Sequence, residues 1–400
     1  MLLSVALIVL LSLIFAYLFN LLKLPRMIGM LLAGILLGPY VLDLIDPSIL
    51  NISAELRQIS LIVILIRAGL SLDLNDLKKI GRPALLLSFI PALFEFIVIM
   101  VVAPLFFDIM LIEAAIIGAI VAAVSPAIIV PRMIKLMERG YGKKKPIPQL
   151  ILAGASIDDV FVIILFTSLV QSYQTNTFSI QSILLIPVSL VLGIVLGVAI
   201  GVILVKLFKK YHMRDTIKVL IIFSMGFLMI ALENSLKDVI MISGLVSVMV
   251  LGGTILNQYQ ILAHRLVNKF EKIWVVAEIM LFVLVGAVLD ISVIPGIGIF
   301  AIILVFIGLL GRMLGVMISL IKTKLNQKEK LFVGISYIPK ATVQAAIGAI
   351  PLSLGFMSGQ LMLSIAVLSI VITAPIGAFL MDLSYSKLLD KPIIDAKLTN

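Results

Sequence analysis

Two adjacent carboxylates lie in the stretch Gly154-Ala-Ser156-Ile-Asp158-Asp159-Val, near the centre of an apolar run of about 27 residues. They are too deep to snorkel, and an ionised group in hydrocarbon is costly unless it is paired or functional. A carboxylate taken out of water is stabilised by a proton or by a hard cation, so the two compete for it. If that site opens alternately to each side of a membrane, the competition is exchange. Successive helix residues point about 100° apart, so at most one carboxylate faces a given cavity squarely, and Ser156 shares the face of Asp159. The alternative is a pair neutralised by a buried lysine, Lys340, with no ion traffic.

Two further runs break near their middles. One reads Ala123-Val-Ser125-Pro126-Ala-Ile-Ile-Val-Pro131, the other Tyr337-Ile-Pro339-Lys340-Ala-Thr342-Val-Gln344. Proline lacks a backbone donor and frees a carbonyl in the preceding turn. Breaks at Pro126, Pro131 and Pro339 would place helix ends at mid-membrane, where bare carbonyls coordinate a cation and Lys340 balances the dipoles. Ser125 then joins Asp158, Asp159 and Ser156 as a candidate cation ligand. Simple packing kinks are the other reading of these prolines.

The elements that must position these groups follow from composition. The chain has 400 residues, 62% hydrophobic and 13% charged, with no Cys and a mean hydropathy of +1.26. So apolar a chain cannot cover a globule with polar surface, and it reads as an all-α polytopic membrane protein. Without Cys, and with only His212 and His264, disulfides, thiolate metal sites and Cys nucleophiles are excluded. No His-Glu-x-x-His or Ser-His arrangement suggests an enzyme.

About thirteen apolar runs are readable, at roughly 2–22, 27–43, 54–71, 83–107, 111–137, 147–173, 179–207, 215–233, 239–257, 271–290, 294–322, 331–352 and 359–383. Odd-numbered loops hold the Lys and Arg excess, among them Lys23, Arg26, Arg82, Arg139, Lys209, Arg265 and Lys324. Even-numbered loops are acidic, mixed or uncharged. The positive-inside rule then puts the N-terminus outside and the C-terminus in the cytoplasm, and makes the net charge of +10 a topology signal rather than a nucleic-acid surface. No basic stretch precedes the first run, which reads as a retained span.

The third run ends Arg67-Ala-Gly69-Leu-Ser-Leu-Asp73 and the tenth Val285-Gly286-Ala-Val-Leu-Asp290; Glu95 follows Gly69, and Arg312 follows Gly286, by 26 residues. The offset is seven runs. An odd offset inverts the second copy, giving two inverted six-helix repeats around a linker at 179–207, with runs five and twelve as crossed broken partners. Glu95 and Arg312 are equivalent under this offset and are expected to pair in the core, the alternative being that Arg312 reaches Asp158. Arg67 is expected to snorkel or pair with Asp73. Glu278 is expected to line an ion funnel, pair with Lys272 or face lipid.

Ser125-Pro-Ala-Ile-Ile-Val-Pro131, Ser156-Ile-Asp-Asp-Val160 and Tyr337-Ile-Pro-Lys-Ala-Thr-Val-Gln-Ala-Ala-Ile-Gly348 resemble, in order and spacing, the monovalent cation:proton antiporters of the second cation:proton antiporter family, in its NHA-type sodium/proton exchanger branch. The resemblance covers the whole apolar region. It implies that Asp159 is the carboxylate that takes cation or proton, with Asp158 as its accessory. It also implies a homodimer in which a core (within 83–173 and 294–383) moves against a scaffold (within 1–71 and 215–290), in one transporter domain over 1–383. No cofactor is implied; the transported ions are Na+ or Li+ and H+, the partners membrane lipid and a second copy. The tail, 384–400, is too short for a nucleotide-gating domain. Electrogenic relatives carry a Lys in the eleventh span where this chain has Arg312. A guanidinium keeps its proton, so one-for-one, electroneutral exchange is the expectation. A sodium-coupled symporter of an organic anion is the alternative on the same architecture.

Overall fold

The computed structural model describes residues 1–71, 81–142, 145–174, 180–236 and 242–390, and among these no strand occurs. Helix is found in each of the thirteen apolar runs. The first group is α1 (Leu2–Leu21), α2 (Arg26–Leu37), the short α3 (Pro47–Asn51) and α4 (Ser53–Ser71). Next come α5 (Arg82–Leu87), α6 (Ile90–Phe106), α7 (Leu111–Ala122), α8 (Pro126–Glu138) and α9 (Ile147–Gln174). The linker α10 (Ile180–Lys210) leads to α11 (Asp215–Leu236), α12 (Gly244–Gln258) and α13 (Gln260–Ala287). The last set is α14 (Ile294–Ser319), α15 (Gln327–Ser336), α16 (Thr342–Ile347), α17 (Ile350–Ser353) and α18 (Gly359–Leu388). Seven helical segments among the described residues are long and apolar enough to cross a membrane, the first being Leu2–Leu21 and the last Gly359–Leu388. The protein is a multi-pass membrane protein.

Local chemistry sets several boundaries. Asp46 accepts from Ser48 N at 2.9 Å and starts α3. Asn326 and Glu329 cap each other's backbone amides at 2.8 and 2.6 Å and start α15, while Lys145 reaches the same Glu329 at 2.7 Å. One boundary differs from the sequence expectation. The basic stretch before residue 271 was expected as loop, yet α13 begins at Gln260. Leu262, Leu266, Phe270 and Trp274 are buried at four-residue spacing, so this charged stretch is amphipathic helix rather than loop.

The helices pack in two groups. Helices α1, α2, α4, α11, α12 and α13 lie against one another; α5 to α9 lie against α14 to α18; and α10 packs on α12. Contacts between the groups are few: α9 meets α12, and the short α16 meets α4 and α13.

In the first group backbones touch at glycines. Gly34 abuts the Val283 backbone and Gly286 that of Leu31, while Gly252 abuts Ile66 and Gly69 abuts Met249. A shift of 217 or 218 residues turns one crossing into the other, Leu31 to Met249, Gly34 to Gly252, Ile66 to Val283 and Gly69 to Gly286. The same contact is thus made twice, once in each half. Small residues at such crossings let helices approach closely where lipid gives no hydrophobic drive. A Cβ at Gly286 would collide with the Leu31 carbonyl and lie 3.0 Å from Ile35 N. Gly286→Ala is therefore expected to cost about 1–3 kcal/mol or more. Thermal melting in detergent should show this loss, whereas Gly296→Ala, with nothing within 4 Å of the added carbon, should leave the melting temperature unchanged.

Candidate functional site

The fifth and twelfth runs are each interrupted at mid-length, and the two interruptions touch. Between α7 and α8 the chain is extended at Ala123 and Ser125, and between α15 and α16 it leaves helix over residues 337–341. Ser125 N donates to Pro339 O at 2.8 Å, tying one break to the other. Pro126 occupies the first helical position after its break, where its missing donor costs nothing. Pro339 lies inside the second break. Pro131 is a correction to the sequence expectation: it breaks nothing and sits inside α8 on an exposed position. The helix continues past the proline to Glu138, and Arg132 beside it donates to Ile128 O at 3.1 Å.

Unwound backbone buried in a membrane protein must have its polar groups satisfied. Here side chains do so. Val121 O accepts from Lys340 Nζ at 2.6 Å and from Gln344 Nε2 at 3.3 Å. Ala122 O accepts from Arg312 Nη2, and Ala123 O from Gln344 Nε2 at 2.8 Å. Val124 N donates to Asp158 Oδ2 at 2.8 Å. Two cations thus meet the carbonyl end of α7 and a carboxylate meets the amide ahead of α8, as the helix dipoles favour. The second break has a matching support, because Lys340 N donates to Thr373 Oγ1 on α18 at 3.0 Å.

The charges form one cluster. Arg312 Nε lies 2.6 Å from Glu95 Oε2, and its Nη2 lies 3.2 Å from Asp158 Oδ2. Arg312 therefore reaches both carboxylates that sequence reasoning offered as alternatives. Lys340 Nζ lies 2.7 Å from Glu95 Oε1 and 2.9 Å from Glu95 Oε2. Its partner is Glu95, not the aspartate pair. Glu95, Asp158 and Lys340 are completely buried and Arg312 nearly so. Two cations face two carboxylates, which leaves Asp159 as the acid of the cluster for which no ion pair is found among the described residues.

Asp159 is partly exposed, and its Oδ1 meets no donor. Asp158 Oδ1, Ser125 Oγ, Thr342 Oγ1 and Gln344 Oε1 are likewise buried without a hydrogen-bond partner. Ser156 lies on α9 one turn before Asp159, but its side chain is outside the described part of the structure. No cluster of three or more His, Cys, Asp or Glu suited to a multivalent metal is found among the described residues.

The weaker charge assignments change. Glu278 is 2% exposed and pairs with Arg26 at 2.8 Å, not with Lys272 or lipid, because α2 brings the guanidinium alongside. Arg67 lies 3.6 Å from Glu271, and Asp73 is outside the described residues. Sequence reasoning missed Thr373 and the part played by Gln344. A lone Thr in an apolar run carries no signal, and Gln344 serves backbone atoms that a sequence does not reveal.

A bundle with two interrupted helices crossing beside buried acids defines a membrane transporter rather than an enzyme. Its fold is that of the sodium proton antiporter MjNhaP1 from Methanocaldococcus jannaschii at pH 8, with a TM-score of 0.83, 20% identity, and coverage of 96% of this chain and 97% of that one. Residues 6–382 match the family described as "Sodium/hydrogen exchanger, transmembrane". The chain is 31% identical to human sodium/hydrogen exchanger 9B2 over 383 residues, covering 92% of this chain and 70% of that protein. It is 32% identical to sodium/hydrogen exchanger 9B1 of Macaca fascicularis over 390 residues, covering 92% and 73%. The chain belongs to the sodium/hydrogen exchanger family, whose members transport ions and need no cofactor.

Proposed function

We propose that this protein exchanges Na+ or Li+ for H+ across a membrane, one for one, at Asp159. The observation that carries the reading is the charge balance. Arg312 and Lys340 are held by Glu95 and Asp158, so the cluster is neutral without Asp159. Binding one proton or one alkali ion at an ionised Asp159 produces the same total charge. A site that reorients in either loaded form then moves the same charge each way, which makes the cycle electroneutral.

The sparse contacts between the two helix groups support alternating access by a core of residues 83–173 and 294–383 against a scaffold within 1–71 and 215–290, with 179–207 as linker. Two such chains would form the working homodimer, each with its N-terminus outside and C-terminus in the cytoplasm. The bare oxygens of Asp158 and Asp159 suit a cation, whereas Arg312 and Lys340 are already paired with carboxylates and leave little net positive charge for an organic anion.

The test is purified protein in vesicles loaded with a pH-sensitive dye. An inward Na+ or Li+ gradient should drive proton efflux, at a rate unchanged when a potential is imposed with K+ and valinomycin. Absence of cation-driven proton movement would overturn the exchange reading. Movement whose rate follows the potential would overturn the one-for-one ratio.

A further inference from the structure

The Ala123-Val124 peptide is gripped on both sides. Its carbonyl accepts from Gln344 Nε2 at 2.8 Å, and its N–H donates to Asp158 Oδ2 at 2.8 Å. No peptide bond in the described chain is cis. In a trans peptide the C=O and N–H point in opposite directions within the plane, so Gln344 on α16 and Asp158 on α9 hold one rigid plane by its opposite edges. We propose that Gln344 is a positioning residue of the ion site: through this peptide it aims the amide that holds Asp158, so that Asp159 alone exchanges its ligand.

The orientation of the Gln344 amide follows from its surroundings. Both oxygens within its reach, Val121 O and Ala123 O, are carbonyls, so the amide must turn its NH2 towards them. Its own oxygen then points away and meets no donor. Gln344 is fully buried, and an apolar side chain of its length would fill the same space without that bare oxygen. The fixed NH2 therefore supplies what such a side chain would lack, a donor to an unwound segment that has no helical partner for its carbonyls.

Asp158 needs that support because of what surrounds it. Arg312 from α14, Lys340 and Tyr337 from the second break, Glu95 from α6 and the adjoining Asp159 all act on it. Arg312 is shared with Glu95 and Ala122 O. Among the described residues, the Val124 amide is the one donor to Asp158 that no other acceptor shares. If the peptide rotates, Asp158 loses that donor and becomes a second loosely held carboxylate beside Asp159, competing with it for the cation.

This inference rests on the exchange proposed at Asp159, and its test separates the two. Gln344→Met keeps length and removes the donor; Gln344→Glu keeps shape and can donate only when protonated. In the same dye-loaded vesicles, Gln344→Met should raise the KM for Na+ by about tenfold to a hundredfold, the equivalent of one charge-assisted hydrogen bond, and displace the pH profile. Gln344→Glu should be impaired at least as strongly as Gln344→Met at alkaline pH, where it is ionised and faces two carbonyls, and recover towards the parent at acid pH. Melting temperature in detergent is read alongside. Variants that keep the parent's KM and pH profile while only losing thermal stability would overturn the positioning role and leave the exchange reading intact. A parent without exchange would instead overturn the reading on which this one rests.

Discussion

Replacing Asp159 with Asn is expected to reduce cation-driven proton movement to the level of empty vesicles, a loss of at least about a hundredfold. Asparagine keeps the size of the side chain but can neither bind and release a proton in the working pH range nor bring a negative charge to an alkali ion. The neighbouring acid does not substitute for it. Asp158 is committed to Val124 N and Arg312 and is completely buried, whereas no ion pair is found at Asp159 among the described residues. The variant should fold, since no hydrogen bond found at Asp159 Oδ1 is lost. The measurement is the dye response to Na+ and Li+ pulses, beside a melting curve showing an intact protein. A variant exchanging at the parental rate would move the site away from Asp159.

The second large effect concerns Arg312. Its guanidinium joins Glu95, Asp158 and Ala122 O, which come from three helices. Arg312→Met leaves two buried carboxylates facing one lysine, and breaking a buried pair from one side costs about 3–5 kcal/mol. Arg312→Lys keeps the charge but not the planar fork, and one ammonium cannot replace donors aimed at three separate acceptors. Its expected loss is smaller, about 1–3 kcal/mol, with folding preserved. Thermal melting in detergent should rank the parent above Arg312→Lys and Arg312→Lys above Arg312→Met. Equal stability of all three would mean that the guanidinium does not hold the core together.

Much of this architecture could be read from residue order because lipid imposes blunt rules. Apolar runs must become helices, a proline at mid-run is a candidate break, as Pro126 and Pro339 prove to be, and the offset between Gly69 and Gly286 exposes the duplication. The Glu95–Arg312 contact followed from that offset. The choice between Glu95 and Asp158 did not, because an arginine fork can serve two carboxylates and a sequence says nothing of their separation. Lys340 was expected to balance the dipoles of the broken helices or, alternatively, to neutralise the aspartates; the fold presents it to the end of α7 and to Glu95. Pro131 carried the same sequence signal as Pro126; only the geometry distinguishes a proline that opens a helix from one that the helix absorbs. The residues before Lys272 looked like loop because charges were counted rather than their helical spacing. Support from Gln344 and Thr373 is directed at main-chain atoms, which every residue possesses, so composition holds no trace of it.

The paired glycine crossings have a mechanical consequence. Where main chain rests on main chain there are no flexible side chains to yield, so the helices joined by Gly34, Gly69, Gly252 and Gly286 behave as a stiff plate. When the bilayer thins, thickens or changes its acyl chains, that plate cannot absorb the deformation. The strain is then expected at the thinly stitched seam where α16 meets α4 and α13, which would make lipid composition a handle on the alternating access proposed above.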